Sequence, residues 1–217
     1  MNSISHARPA FLEQQFDDPL QQRESSVFGM WAFLATEILF FGVLFLGYAI
    51  CRWRFPVAFA EAAKHTDLVL GSIETAVLLV SSCVVTIALR DLRLGGRRLA
   101  AALLLATAML GLLFLALHGK EYYDEFHEGL MPGVHYTLAQ PHAVHMKLFF
   151  CLYYFITLYH SLHVTVGVLL LLAMSWRTFR GGFSADYTTP VEVTSMYWHL
   201  VDIVWIFVFP LMYLVGR

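Results

Sequence analysis

The sequence has little charge, few cysteines and no marked excess of either sign. Charged residues make up 14% of the 217 positions, whereas a soluble globular domain carries about 25%. A formal net charge of −2 gives no basic surface for nucleic acid, so we expect no nucleic-acid partner. The three cysteines, Cys51, Cys83 and Cys151, lie in or beside apolar runs and are too few for a disulfide framework.

Apolar residues are abundant, at 59%, and they gather in five runs. Each run is close to or longer than the roughly 20 residues that a helix needs to cross the hydrocarbon of a bilayer. Backbone groups in lipid must be satisfied within the protein, so each run is expected to be a helix. We predict an all-α fold, an integral membrane bundle of five transmembrane helices. The runs are Val27–Cys51, Asp67–Leu89, Leu99–Leu117, Val144–Trp176 and Pro190–Val215.

Two units follow from this pattern, a polar N-terminal surface segment at 1–26 and a five-helix transmembrane domain at 27–217. The first segment lacks the basic start and short apolar core of a cleavable signal peptide, so we expect it to lie on the membrane surface. Five spans place the arginine-rich gap Arg90–Arg98 on the same side as the N-terminus. Positive charge close to span ends then favours a cytoplasmic N-terminus.

The third gap, His118–His142, would lie on the opposite side of the membrane. It contains several acidic residues. We interpret three of its four histidines as part of a solvated loop rather than of a metal site: His118, His127 and His135.

Several ionisable residues lie well inside the runs, where their cost in hydrocarbon usually marks a function or a specific partner. His160 and His163 share one helix face. Glu37 cannot stay charged and unpaired, so it is either protonated or bonded to His160 or His163 on a neighbouring helix. Simple interhelical bonding remains the alternative to a function. The predicted buried polar network is Glu37, Glu74, His160, His163, His199 and Asp202.

Three other functions are less consistent with the sequence. The pairs at 142/145 and 160/163 lie about 27 Å apart along one helix, so they cannot share a di-iron site. A b-type haem held by His163 and His199 is possible in principle, but we predict no metal in this chain. A stand-alone transporter would show helices broken by Gly or Pro, and Pro210 is the only interior proline of the runs.

Four segments, in this order, resemble subunit III of the haem-copper respiratory oxidases. Met30–Phe41 resembles its glutamate-bearing helix, with the family glutamate at Glu37. Lys120–Tyr123 resembles its Glu-Tyr motif, expected in a loop at Glu121 and Tyr122. His160–Gly167 resembles its His-x-x-His segment. Tyr197–Trp205 resembles its last-helix signature and is the most distinctive of the four.

The resemblance implies an accessory subunit of a bacterial inner (cytoplasmic) membrane oxidase in aerobic electron transport, with no catalytic centre of its own. Haem and copper would belong to the partner catalytic subunits. The chain would pack on oxidase subunits I and II, bind phospholipid, and support proton uptake and turnover stability. The implied headgroup-binding candidates are Arg177, Trp198 and Glu192.

The chain also departs from many members of that family. Two N-terminal helices of the seven-helix form have no counterpart here, and Glu74-Thr75 stands where many members have Asn-Thr. Five-helix members occur in cytochrome c oxidases, in quinol oxidases and beside nitric oxide reductases. The segment Phe183–Pro190 and the acidic loop Glu121–Glu128 favour a cytochrome c oxidase, including types associated with alternative complex III. The other two assignments stay open.

Overall fold

A computed structural model describes residues 12–133, 135–136, 142–185 and 187–214. Five of the helices in these ranges are long and apolar enough to span a membrane, which confirms the predicted five-span, all-α fold. The helices are α1 (Pro19–Arg54), α2 (Pro56–Ala63), α3 (Leu68–Arg93), α4 (Arg97–His127), α5 (Ala143–Phe179) and α6 (Thr189–Phe209), which continues as a π-helical turn, Pro210–Leu214. Strands β1 (Leu130–Met131) and β2 (His135–Tyr136) form a short antiparallel pair.

Local sequence signals set the helix ends. The side chain of Asp18 accepts a hydrogen bond from the backbone N–H of Gln21 at 2.7 Å and so caps α1. Gly95, with a φ of +87°, turns the chain between α3 and α4, because a residue without Cβ tolerates a positive φ. Pro190 lies in the first turn of α6, where a missing N–H leaves no bond unmade.

Helices α3 and α4 pack along a regular seam. Buried positions recur every three or four residues from Gly71 to Leu92 in α3 and from Ala100 to Glu125 in α4, the spacing of one helix face. The short turn between the helices makes them antiparallel. The beginning of α3 therefore lies beside the end of α4, and Glu74 on one seam faces His118 on the other.

Two glycines let α4 and α5 approach the indole of α6. A Cβ added at Gly111 would lie 2.6 Å from Cη2 of Trp198, and one at Gly167 would lie 2.8 Å from its Cε3. Both distances are far shorter than a normal van der Waals contact. The bundle is therefore closely packed at its centre.

Helix α1 is the least covered of the long helices. Its buried residues form one narrow stripe, whereas large apolar side chains on its other faces, among them Trp31, Leu39 and Val43, are exposed. The helix begins at Pro19, so 19–26 of the predicted surface segment are its first turns. The stripe comprises Gln22, Met30, Leu34, Phe41 and Tyr48.

The third gap begins later than the sequence indicated, because α4 continues past Leu117 to His127. His118 is only 2% exposed, so the interpretation of this residue as part of a solvated loop is wrong. His127 is exposed in the last turn of α4, and the side chain of His135 lies outside the described residues. The loop placement of the Glu-Tyr motif is also wrong, since both residues are helical. The physical reason is that neighbouring helices cover one face of this polar segment.

Candidate functional site

A carboxyl–imidazole pair joins α1 and α5 near the middle of both helices. Oε2 of Glu37 lies 3.0 Å from Nε2 of His163. The other ring nitrogen, Nδ1, lies 2.7 Å from the carbonyl oxygen of Tyr159, which can only accept, so Nδ1 carries a proton. One further proton is then shared between Nε2 and the carboxyl group, and the pair has zero net charge wherever that proton lies.

This lateral pair is partly open to the outside of the bundle. The Glu37 and His163 side chains are 18% and 17% exposed. The Tyr197 hydroxyl donates to the carbonyl oxygen of His163 at 3.0 Å, and Phe41 packs edge-on against the imidazole at 5.3 Å. A groove of about 330 Å³ between α1 and α6 begins beside the pair and is lined by apolar side chains, Phe45 among them.

A second cluster is buried in the bundle. Nδ1 of His118 lies 3.5 Å from Oε1 of Glu74 and 3.4 Å from Oε2 of Glu121. These separations are longer than a good N–H···O hydrogen bond. Neither oxygen of Glu74 and neither ring nitrogen of His118 has a hydrogen-bond partner among the described residues. We call Glu74, His118 and Glu121 the buried cluster.

Aromatic residues hold the buried cluster in place. The Tyr213 hydroxyl donates to Oε2 of Glu121 at 2.7 Å, and the Tyr153 hydroxyl lies 3.2 Å from that of Tyr213. The His118 ring stacks on Phe114 at 5.7 Å. Tyr213 belongs to the π-helical turn that starts at Pro210, where proline cannot donate to the α-helical ladder. The change of helix type therefore directs this hydroxyl toward α4.

An acidic pocket of about 340 Å³ lies between the buried cluster and the end of the bundle where α3 begins and α4 ends. Glu121 and the buried Glu125 line its inner part. Further carboxylates line the rest, with His65 and His127 at its edge. We call this pocket the acidic vestibule; its other acidic residues are Asp67, Asp124 and Glu128.

The remaining members of the predicted network do not join into one site. His160 is fully buried beside Trp205, at 5.0 Å between ring centres, so Glu37 contacts His163 and not His160. His199 lies 2.7 Å from the Ser82 hydroxyl through Nδ1. Asp202 is buried, and its Oδ1 has no hydrogen-bond partner within the described ranges.

The headgroup candidates differ in their surroundings. Trp198 is 1% exposed, and its Nε1–H donates to the Ser81 hydroxyl at 2.9 Å. Its ring cannot reach a lipid headgroup, which corrects the expectation for this residue. The exposed Arg177 lies over the Phe183 ring at 5.2 Å.

The third headgroup candidate, Glu192, lies between two arginines from other helices. Its carboxylate is 2.8 Å from Arg23 and 3.1 Å from Arg93. These contacts join the beginnings of α1 and α6 to the end of α3. They place this acidic side chain at the arginine-rich end of the bundle, opposite the acidic vestibule.

Reasoning from the sequence missed the buried cluster as a unit. Phe114, His118, Glu121 and Glu125 follow one another at spacings of four, three and four, which places them on one helix face. That face continues the buried stripe of α4. The signal is present in the sequence, but the polar residues after Leu117 are also typical of a helix end.

The comparison with known families decides what kind of bundle this is. A family model described as cytochrome c oxidase subunit III matches residues 18–217. The chain belongs to this family. The resemblance found from the four motifs is thereby confirmed. In the haem-copper oxidases, of which subunit III is a part, the cofactors lie in other subunits, and the five spans agree with a multi-pass membrane protein.

Similar subunit III proteins come from both cytochrome c and quinol oxidases. The chain is 32% identical to a cytochrome bo(3) ubiquinol oxidase subunit 3 of Pseudomonas aeruginosa, covering 88% of this chain and 86% of the relative. It is 31% identical to a cytochrome c oxidase subunit 3 of Thermostichus vulcanus, covering 88% of each. It is 27% identical to a quinol oxidase subunit 3 of Bacillus subtilis, covering 88% and 87%.

Proposed function

We propose that this chain is a cofactor-free accessory subunit of a bacterial cytochrome c oxidase that supports proton uptake and turnover stability in catalytic subunit I. The observation that carries the proposal is the mid-membrane pair of Glu37 and His163. A charge-neutral, hydrogen-bonded pair fixes α1 to α5 without the cost of an isolated ion in hydrocarbon. It therefore sets the position of a helix that the rest of the chain hardly covers.

The exposed face of α1 is suited to packing against another membrane subunit. Its large side chains are apolar, and Trp31, Leu39 and Val43 are each at least 60% exposed. The adjoining groove between α1 and α6 would take an acyl chain of a phospholipid. Arg177, exposed at the end of α5, would bind a headgroup phosphate through its planar guanidinium.

The orientation follows from the charges at the two ends. The arginine-rich end would face the cytoplasm, with the N-terminus, and the acidic vestibule would face the outside. The cytoplasmic end would then shape the electrostatic field where protons enter subunit I. The complex would include subunit II, in the bacterial inner membrane, and could further associate with alternative complex III.

The test is to compare the oxidase complex with and without this chain. We expect unchanged haem spectra and a similar initial rate of oxygen consumption, but several-fold fewer turnovers before inactivation. Glu37→Ala should reproduce part of this loss. Gly119→Ala on α4 is the control, because a Cβ at that position meets nothing within 4 Å. An unchanged turnover lifetime without the chain would contradict the proposal.

A quinol oxidase is the second candidate, favoured by the ubiquinol oxidase name of the Pseudomonas aeruginosa relative. The electron donor that the purified complex uses distinguishes a cytochrome c oxidase from a quinol oxidase. Oxygen consumption driven by reduced cytochrome c, and not by quinol, is expected. Consumption driven only by quinol would assign the chain to the second class, and nitric oxide reduction would assign it to a companion of that enzyme.

A further inference from the structure

We propose that Glu74, His118 and Glu121 bind one divalent transition-metal ion, with Zn²⁺ as the best match to the donor atoms. The site lies at the acidic end of the bundle, where the beginning of α3 meets the end of α4. It is separate from the lateral pair and would revise the sequence-based prediction that this chain holds no metal.

Two of the three donor separations match those around a tetrahedral ion. Zinc binds nitrogen and oxygen at about 2.0–2.2 Å, which places neighbouring tetrahedral donors roughly 3.3–3.6 Å apart. Nδ1 of His118 lies 3.5 Å and 3.4 Å from the two carboxylate oxygens, and all three donors lie within 4.8 Å of one another. Three protein ligands leave a fourth position for water. The imidazole argues against Ca²⁺ and Mg²⁺, which prefer oxygen ligands.

Two of the three donor residues also lack hydrogen-bond partners. Glu74 is completely buried and His118 is 2% exposed, yet neither carboxylate oxygen of the first and neither nitrogen of the second is hydrogen-bonded to a described residue. Buried polar atoms are normally hydrogen-bonded. A bound cation would satisfy Glu74 and one nitrogen of His118 at once.

The charge of the buried cluster is not balanced by the protein. Two carboxylates face one imidazole, and the ion pairs that Glu74 and Glu121 form within the described ranges are with His118. A protonated imidazole would leave a net charge of −1. A divalent ion with a neutral imidazole leaves zero, which is the favourable state in a low-dielectric surrounding.

The fold gives a cation a route to the buried cluster and orients one of the proposed ligands. The acidic vestibule connects Glu121 to the end of the bundle, and its carboxylates raise the local concentration of cations. The hydrogen bond from Tyr213 to Oε2 of Glu121 orients the carboxylate, as second-shell partners of metal ligands do.

The experiment measures zinc in the purified oxidase complex. The complex is equilibrated with Zn²⁺ and a competing chelator, separated from free ions, and analysed for zinc per haem iron. We expect one zinc more than in the complex without this chain, and an affinity at least 10-fold lower in His118→Gln. His127→Gln, which removes an exposed imidazole from the same vestibule, should bind as the unaltered complex does.

No additional zinc would overturn the proposal and show that protons alone neutralise the cluster. Equal zinc in His118→Gln would also overturn the proposal. If His118→Gln does not assemble, X-ray absorption at the zinc edge of the unaltered complex gives the answer. The difference between the zinc-edge spectra of the complexes with and without this chain should show only nitrogen and oxygen ligands, with scattering from one imidazole. Sulfur ligands or several imidazoles would place the zinc elsewhere.

Discussion

The two carboxyl–imidazole clusters differ in their ratio of acid to base. The lateral pair has one carboxyl group for one imidazole and is neutral wherever its proton lies. The buried cluster has two carboxyl groups for one imidazole and needs a further positive charge to become neutral. The lateral pair is also partly exposed, at 17–18%, whereas the buried cluster is enclosed by aromatic rings.

The difference shows how charge balance separates two roles. A neutral pair can act by joining helices, because it needs nothing from outside the chain. The buried cluster needs one more positive charge, from a proton or a bound cation, and its supporting hydroxyl and acidic vestibule are the features on which we base the proposal of a cation.

The largest expected effect comes from removing one carboxylate of the buried cluster. Glu74→Gln gives the buried cluster the same acid-to-base ratio as the lateral pair, and the substitution preserves the side-chain volume. Zinc affinity should fall by about 100-fold, because an amide is a poor zinc ligand. Glu37→Gln should leave zinc affinity unaltered. Chelator competition measures both, and an equal loss in the two variants would remove the distinction between the clusters.

Removing the supporting hydroxyl should have a smaller effect. Tyr213→Phe deletes the donor to Glu121 and should weaken zinc binding by about 10-fold, the lower end of second-shell effects. Tyr48→Phe is the control, since its buried hydroxyl donates to the backbone of Leu211 in the same π-helical turn. Equal zinc affinity in the Tyr213 variant would show that the hydroxyl does not orient the carboxylate.

The lateral pair should show a modest coupling energy. In a double-mutant cycle of Glu37→Ala and His163→Ala, we expect about 0.6–2 kcal/mol, the range of polar contacts between membrane helices. The measurement is the stability of the complex against a denaturing detergent. Additive losses from the two substitutions would mean that the 3.0 Å contact does not stabilise the bundle.

The smallest effect is expected at the arginine-rich end. Arg93→Gln leaves Glu192 its contact with Arg23, so the complex should lose less than about 1 kcal/mol, as for other partly exposed ion pairs. The loss should shrink as salt is added, because exposed charges are screened. A loss of stability in Arg93→Gln that exceeds the coupling energy between Glu37 and His163 would reverse the expected order of these two effects.

Much of the fold could be predicted because apolar runs and helix-breaking residues are local signals. Gly95 lies in the turn after α3 and Pro190 in the first turn of α6, so both helix ends carry a local signal in the sequence. The end of α4 could not be placed in the same way, since whether His118 is solvated depends on tertiary packing. Its neighbours come from α3 and α6, and only the assembled bundle brings them together.

The candidate site was predictable only in part. A mid-membrane acid requires a partner, so a contact from Glu37 to a histidine of α5 could be anticipated, but the choice of His163 over His160 depends on helix rotation. Trp198 could not be assigned from its motif. Its burial results from the close approach that Gly111 and Gly167 allow, and nothing in its immediate sequence reports this.

The most direct test of the central claim is co-purification. An affinity-tagged form of this chain, extracted from its native membrane in a mild detergent, should carry the haem-bearing subunits of a terminal oxidase at one chain per catalytic subunit. The absorption spectrum of the preparation and its haem-to-chain ratio measure this directly. A stable, folded chain that purifies without any haem-bearing companion would contradict the account.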